Sequence, residues 1–319
     1  MTGVQTCALP ISESKFLTVE PDIQVHYWDK GEGDAIVFIP GLTFSGEIFR
    51  HQLEHFSDRH RVIAVDPRGQ GLSTKTVHGN DYVTHGADVK RLVDALGLEN
   101  VTLVGWSTGN LEVWSYLEQA GYDKVAGVVT IDMSPLPLCE DPAWWTEGTP
   151  AELFEVATRV LIHPESAEAF WDEYLTQVMM QRELDADEHE YLMDMSRRTP
   201  HWVARQLFCD AILSDYLEVA RTAAKTVPTL MYVAKHWADV AEPFCHAQFP
   251  ETSTCVMGGD RRRVVDESIH SGEMEGAYVS AEFREDADEY VRGHIPIEEL
   301  MRRTKRRWEP DREGRGSHA

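Results

Sequence analysis

The sequence predicts an α/β protein built on a mostly parallel sheet, with helices on both faces and one helical insertion. Three observations carry that reading. Several short apolar runs have no polar alternation, as expected of strands buried on both faces of a sheet. Helical patterns stand between those runs, and strand alternating with helix implies crossover units and a parallel sheet. The alternation stops after Ile131 and resumes only near Thr226, leaving a long stretch with helical periodicity alone.

Taken in order, the expected strands are "IQVHYW" (23–28), "AIVFI" (35–39), "RVIAV" (61–65), "VTLV" (101–104), "VAGVVTI" (125–131), "TLMYVA" (229–234) and "TSTCVM" (252–257). "HGADVKRLVDALGL" and "TGNLEVWSYLEQAG" have apolar residues at helical spacing and end on glycine stop signals. From about 134 to 226 the pattern is helical and rich in tryptophan, methionine and acid, as in "PAELFEVATRVLI" and "AEAFWDEYLTQVMM". The expected organisation is a leader over 1–13, an α/β core over 14–133 and 227–293, a helical cap over 134–226, and a charged tail over 294–319.

Composition bounds the function. With 319 residues the chain is long for one domain and short for two large ones. Acidic residues outnumber basic ones 54 to 30, a formal charge of −24, which disfavours nucleic acid and anionic membrane surfaces. The five scattered cysteines include no C-x-x-C pair, so neither a disulfide framework nor a zinc site is expected, and a reducing cytoplasm is the default location. No apolar run approaches the roughly 20 residues needed to span a bilayer. The opening "MTGVQTCALPI" lacks the basic and apolar regions of a signal peptide and reads as a translated sequencing adapter.

The chemistry centres on "VTLVGWSTGN" (101–110), which places Ser107 between Gly105 and Gly109 at G-x-S-x-G spacing. Alone, that spacing is weak, and a serine there can simply cap a helix. A strand before it and a helix after it force the serine onto a sharp elbow with its hydroxyl at the top of the sheet. "FIPGL" offers Gly41 for close backbone approach after one strand, and "VDPRGQGLS" (65–73) follows the next.

On these segments the chain resembles the α/β-hydrolase superfamily over roughly residues 15–259. The resemblance implies a nucleophilic Ser107, an oxyanion hole from the backbone N–H groups of Leu42 and Thr108, and a cap inserted after the sixth strand of the fold. Removing one such donor costs about 100- to 1000-fold in rate. Pro40 stands where the family usually has histidine, a change that leaves the backbone donor intact and also occurs in the superfamily's cofactor-free dioxygenase branch.

The remaining triad members depart from the pattern. The family's acid usually follows the seventh strand, but "LMYVAKHWADVA" puts Lys235, His236 and Trp237 there, with Asp239 two residues late. Asp132, at the end of "VAGVVTI", is the better candidate, since some branches take the acid from that strand. A turn or cap residue is its bland alternative. The base should follow the last strand, where "DRRRVVDESIH" delays the first histidine to His270. Three readings are open: a longer loop returns His270 to Ser107, the chain beyond Gly259 is an out-of-frame product, or the protein has lost its base.

Trp106, Trp144, Trp145, Trp171, Met179 and His236 are the expected pocket residues, although aromatic and methionine side chains of a cap more often pack against the core. The expected activity is hydrolysis of a small, fairly apolar ester, thioester or lactone through an acyl-serine, with no metal or organic cofactor; the expected partner is a small-molecule substrate, with neither nucleic acid nor membrane, and the oligomeric state is left open. A cofactor-free oxygenase of the same fold and a non-catalytic small-molecule binder are the alternatives.

Overall fold

A computed structural model of the chain describes residues 13–141, 144–180, 182–257, 281–291, 300 and 302–303. The strands are β1 (Glu13–Glu20), β2 (Ile23–Lys30), β3 (Ala35–Ile39), β4 (Arg61–Asp66), β5 (Val101–Trp106), β6 (Val125–Ile131), β7 (Thr229–Ala234) and β8 (Ser253–Met257). They form one sheet in the order β1-β2-β4-β3-β5-β6-β7-β8. The β1/β2 and β2/β4 pairs are antiparallel, whereas β4/β3, β3/β5, β5/β6 and β6/β7 are parallel. A mostly parallel sheet with helical crossovers is the expected architecture.

The helices of the core are α1 (Arg50–Phe56), α2 (Tyr82–Ala95), α3 (Gly109–Ala120) and α9 (Ala238–Gln248). Between β6 and β7 lie α4 (Pro150–Glu155), α5 (Pro164–Tyr174), α6 (Ala186–Arg197), α7 (His201–Leu213) and α8 (Leu217–Thr226), with no strand among the described residues there. Single π-turns extend α4 over Val156–Val160 and α5 over Leu175–Met179. Capping boxes start two of these helices: Thr149 with Glu152 at α4, and Asp185 with Glu188 at α6.

Two local expectations need correction. The sequence reading has no strand before residue 23, yet β1 forms and begins at Glu13, inside the stretch assigned to the leader. As an edge strand it buries only Val19, so its pattern does not read as a core strand. The helical insertion also starts later than 134. Pro135 and Pro137 lack the backbone donor a helix requires, and among the described residues helix begins only at Pro150.

The chain divides into two compact units, Met1–Cys255 and Val256–Ala319. The first holds a continuous core in which Val37, Ile63, Leu92, Leu103, Leu111 and Val233 are fully buried. In the second, α10 (Ala281–Val291) carries a buried Ala287, and Arg303 pairs with Asp286 at 2.7 Å and Glu289 at 2.8 Å. His270, the leader up to residue 12 and nearly all of the charged tail lie outside the described residues.

Candidate active site

Strand β5 continues through Gly105 and Trp106 to the threshold of Ser107, and α3 starts at Gly109. The reversal takes two residues. It places Ser107 at φ +50°, the left-handed region that non-glycine residues enter at a cost of roughly 1–3 kcal/mol. Hydrogen bonds hold the turn: Ser107 N–H donates to Ile131 O at 2.7 Å, and Asn110 N–H donates to Ser107 O at 2.9 Å. The Asn110 amide also donates to Ser107 O and Ile131 O, both at 3.0 Å, tying the elbow to the end of β6.

Two glycines let backbone close in around the serine. A Cβ on Gly41 would stand 2.8 Å from Ser107 Cβ, and one on Gly109 would stand 2.3 Å from Ile39 O. Gly41 belongs to the turn after β3, which brings Leu42 to the elbow. Phe44 N–H closes this turn on Gly41 O, and Thr43, at φ +68°, donates its N–H to Gln70 Oε1 at 2.6 Å. The Leu42 N–H takes part in neither bond. Gln70 and Asn110 are the site residues that the sequence reading missed. "GQG" and "TGN" place both in glycine turns, but nothing in those motifs shows which side chain fastens the turn.

The cap is fastened to the same turn. Ser196, in α6, donates its hydroxyl to Thr43 Oγ1 at 3.0 Å, and Thr199 donates to Thr43 O at 3.2 Å. Arg198 adds an ion pair to Glu47 at 2.9 Å.

Asp132 follows β6 and, like Ser107, has positive φ, +52°. Trp106 and Ile131 are paired across β5 and β6, so Ser107 and Asp132 leave neighbouring strands side by side. Asp132 Oδ1 accepts from Ala234 N–H at 2.9 Å, at the end of β7. Burial pushes the Asp132 carboxyl up, opposed by that hydrogen bond and by the charge of His236. His236 is exposed on the short turn Lys235–Trp237, and Asp239 is exposed in the first turn of α9.

A second carboxyl joins this edge. Glu147, in the irregular stretch before α4, accepts from Ser134 N–H at 3.2 Å. Burial pushes it up to about 7, and the Asp132 charge adds to the shift. Tyr174 of α5 is raised by burial and then by Glu147 and Asp132. Among the described residues no cation lies within ion-pair distance of Glu147, and no group of three or more His, Cys, Asp or Glu side chains could hold a metal ion.

The expected pocket residues separate into packing groups. Trp106 and Met179 join Phe44, Leu175, Met193 and Met195 in an apolar cluster of cap and core. Trp144 and Trp145 pack on Phe244, with ring centroids 5.4 and 6.4 Å away, and Trp171 rests on the main core. Trp171 also lines a cavity of about 360 Å³ within the cap, together with Met193, Ser196, Thr199 and His201.

Residues 34–199, just over half of the chain, match the family model of the alpha/beta hydrolase fold, and the chain belongs to that family. A non-heme haloperoxidase from Rhodococcus erythropolis is 38% identical over 141 residues, 44% of this chain and 51% of the relative. The bifunctional esterase/perhydrolase DCH of Acinetobacter calcoaceticus is 34% identical over 143 residues, 44% of this chain and 51% of the relative. The chain thus spans about half the length of these curated relatives. Among solved structures, an Exiguobacterium antarcticum esterase superposes with a TM-score of 0.69 at 21% identity, covering 81% of this chain and 98% of that one. A Bacillus anthracis bromoperoxidase gives 0.69 at 22% identity, covering 77% and 91%. Residues 261–307 match a different family model, antitoxin VbhA. No helix among the described residues is long and apolar enough to cross a membrane.

Proposed function

We propose that the protein is a carboxylic ester hydrolase that cleaves a small, fairly apolar ester, thioester or lactone through an acyl-serine. The observation that carries the reading is the strained elbow: Ser107 at φ +50° between β5 and α3, with Gly41 packed against its Cβ. Strain of this kind persists only where surrounding structure enforces it, and it concentrates at functional sites.

In the proposed mechanism Ser107 Oγ attacks the acyl carbon as a base takes its proton. The oxyanion rests on the Leu42 and Thr108 N–H groups, and the leaving group departs with the proton. Water then releases the acid. Asp132 is the orienting acid: Ala234 N–H engages its Oδ1, leaving Oδ2 for an imidazole. His270 is the base that chain order favours, and His236, whose charge acts on Asp132, is its competitor. Trp106, Trp144, Trp145, Trp171, Met179 and His236 are proposed to shape the acyl site. The esterase/perhydrolase relative supports a second reading, in which hydrogen peroxide replaces water in the final step and a peracid leaves.

The test is p-nitrophenyl acetate turnover with mass mapping of the trapped intermediate. An acetyl group on Ser107 and an initial burst of p-nitrophenol are expected. Turnover that persists in Ser107→Ala, with no adduct on residue 107 of the wild type, refutes the reading.

A further inference from the structure

A second serine, far along the sheet from Ser107, stands in a complete hydrogen-bonded relay. Ser14 Oγ lies 2.8 Å from His26 Nε2, and His26 Nδ1 lies 3.0 Å from Asp66 Oδ2. The three residues come from β1, β2 and β4, which are neighbours at the antiparallel end of the sheet. Register explains why they meet. His26 stands opposite Phe16 on one side and Asp66 on the other, and Ser14 is two residues before Phe16 on the same face of β1. The order β1-β2-β4-β3-β5 puts four strand spacings between Ser14 and the strand that carries Ser107, about 19 Å at about 4.8 Å each.

The hydrogen bonds fix the proton on the imidazole. Asp66 Oδ1 accepts from Gly46 N–H at 2.7 Å, and Oδ2 accepts from Leu72 N–H at 2.7 Å. A carboxylate held by two backbone donors accepts from His26 as well, so the Nδ1 atom carries the hydrogen. Nε2 is left with its lone pair, directed at the Ser14 hydroxyl. This is the tautomer a general base requires. The ring is fully buried, set between Phe16 at 5.0 Å and Trp28 at 4.8 Å, both edge-to-face. His26 N–H donates to Ser73 Oγ at 2.8 Å, which anchors the backbone beneath the ring. Base and orienting acid are therefore rigid and dry while Ser14 itself is exposed.

We propose that Ser14, activated by His26 and Asp66, is a second nucleophilic site of this protein, one that takes an acyl or phosphonyl group from activated aryl esters and fluorophosphonates. Phe16, 51% exposed, offers an aromatic face beside the hydroxyl on which an aryl leaving group can lie. With an ester, the Ser14 Oγ–acyl bond forms as the bond to the aryloxide breaks, and the Ser14 proton passes through His26 Nε2 to the departing phenol. With a fluorophosphonate, the Oγ–P bond forms, the P–F bond breaks and fluoride leaves with the proton. The site is an open strand edge rather than an enclosed pocket, so the expected outcome is slow, stoichiometric modification.

The experiment uses the full-length Ser107→Ala protein, which removes the other serine from the readout. It is treated with p-nitrophenyl acetate or a fluorophosphonate, and adducts are mapped and timed by peptide mass spectrometry. Ser14 is expected to be modified at least about 100-fold faster than Ser253, an exposed serine on β8, in line with general-base assistance. His26→Gln should remove the excess rate. Because His26 is buried, the comparison with Ser253 in the unaltered relay decides the matter if that variant fails to fold. Modification of Ser14 no faster than that of Ser253 overturns the proposal and leaves Ser14 as a partner that satisfies a buried imidazole.

Discussion

Ser107 is held in its left-handed conformation by four hydrogen bonds shared with Ile131 and Asn110, and by the lack of a side chain at Gly41. Two predictions belong at this scale. Ser107→Ala should lower steady-state ester turnover at least about 1000-fold while circular dichroism stays native. Gly41→Ala, whose Cβ would stand 2.8 Å from Ser107 Cβ, should displace Ser107, the proposed nucleophile, and cost about 100-fold in kcat/KM. Glu147 gives a third. Its folded pKa of about 7 lies above the ordinary 4.5, so the folded state binds the extra proton. Ionised Glu147 therefore costs stability above about pH 7, and that cost disappears as pH falls below 4.5. Glu147→Gln should melt a few degrees higher than wild type near pH 8, with the gap closing towards pH 4.5. A gap independent of pH would show that shape, not charge, sets the cost.

At the scale of elements, β5, β6 and β7 end side by side, and the reaction is read from what each terminus carries. Asp132→Asn should cost about 10⁴-fold in kcat through loss of the imidazole's orientation, with Asp239→Asn near wild type. The reverse pattern would move the acid to α9. The elbow at Ser107 is legible in the sequence because three strong signals coincide there: a continuous apolar run, closely spaced glycines and a helical period. The sequence hid β1, whose "KFLTVE" alternates weakly and faces solvent along most of its length. Glu147 was hidden for another reason: it sits in a stretch with no period, and only the fold brings it near Asp132. The helical reading of 134–149 ignored Pro135 and Pro137, whose missing donors delay α4. The relay of Ser14, His26 and Asp66 spans three strands, and no spacing in the sequence announces it.

For the whole molecule, two stretches match different family models, residues 34–199 one and residues 261–307 another. A chain ending at Met257 retains all eight strands, so it should keep a cooperative melt and native circular dichroism. Its activity discriminates between the two bases. If His270 serves Ser107, the truncated protein folds but loses about 1000-fold or more in turnover, as does full-length His270→Ala. If His236 serves, truncation leaves turnover near wild type and His236→Ala abolishes it.

Thr43 makes the cap something other than a freely swinging cover. Its hydroxyl and carbonyl are held by Ser196 and Thr199, and its N–H by Gln70, one peptide away from the proposed donor Leu42. Any tilt of α6 that admits substrate must break two of those bonds, about 1–3 kcal/mol in all, or drag the donor with it. If Leu42 is that donor, entry and transition-state stabilisation are mechanically geared. A substrate large enough to prop the cap open would misalign the donor that should stabilise its own oxyanion, so size selection would register as lost kcat more than as weakened binding.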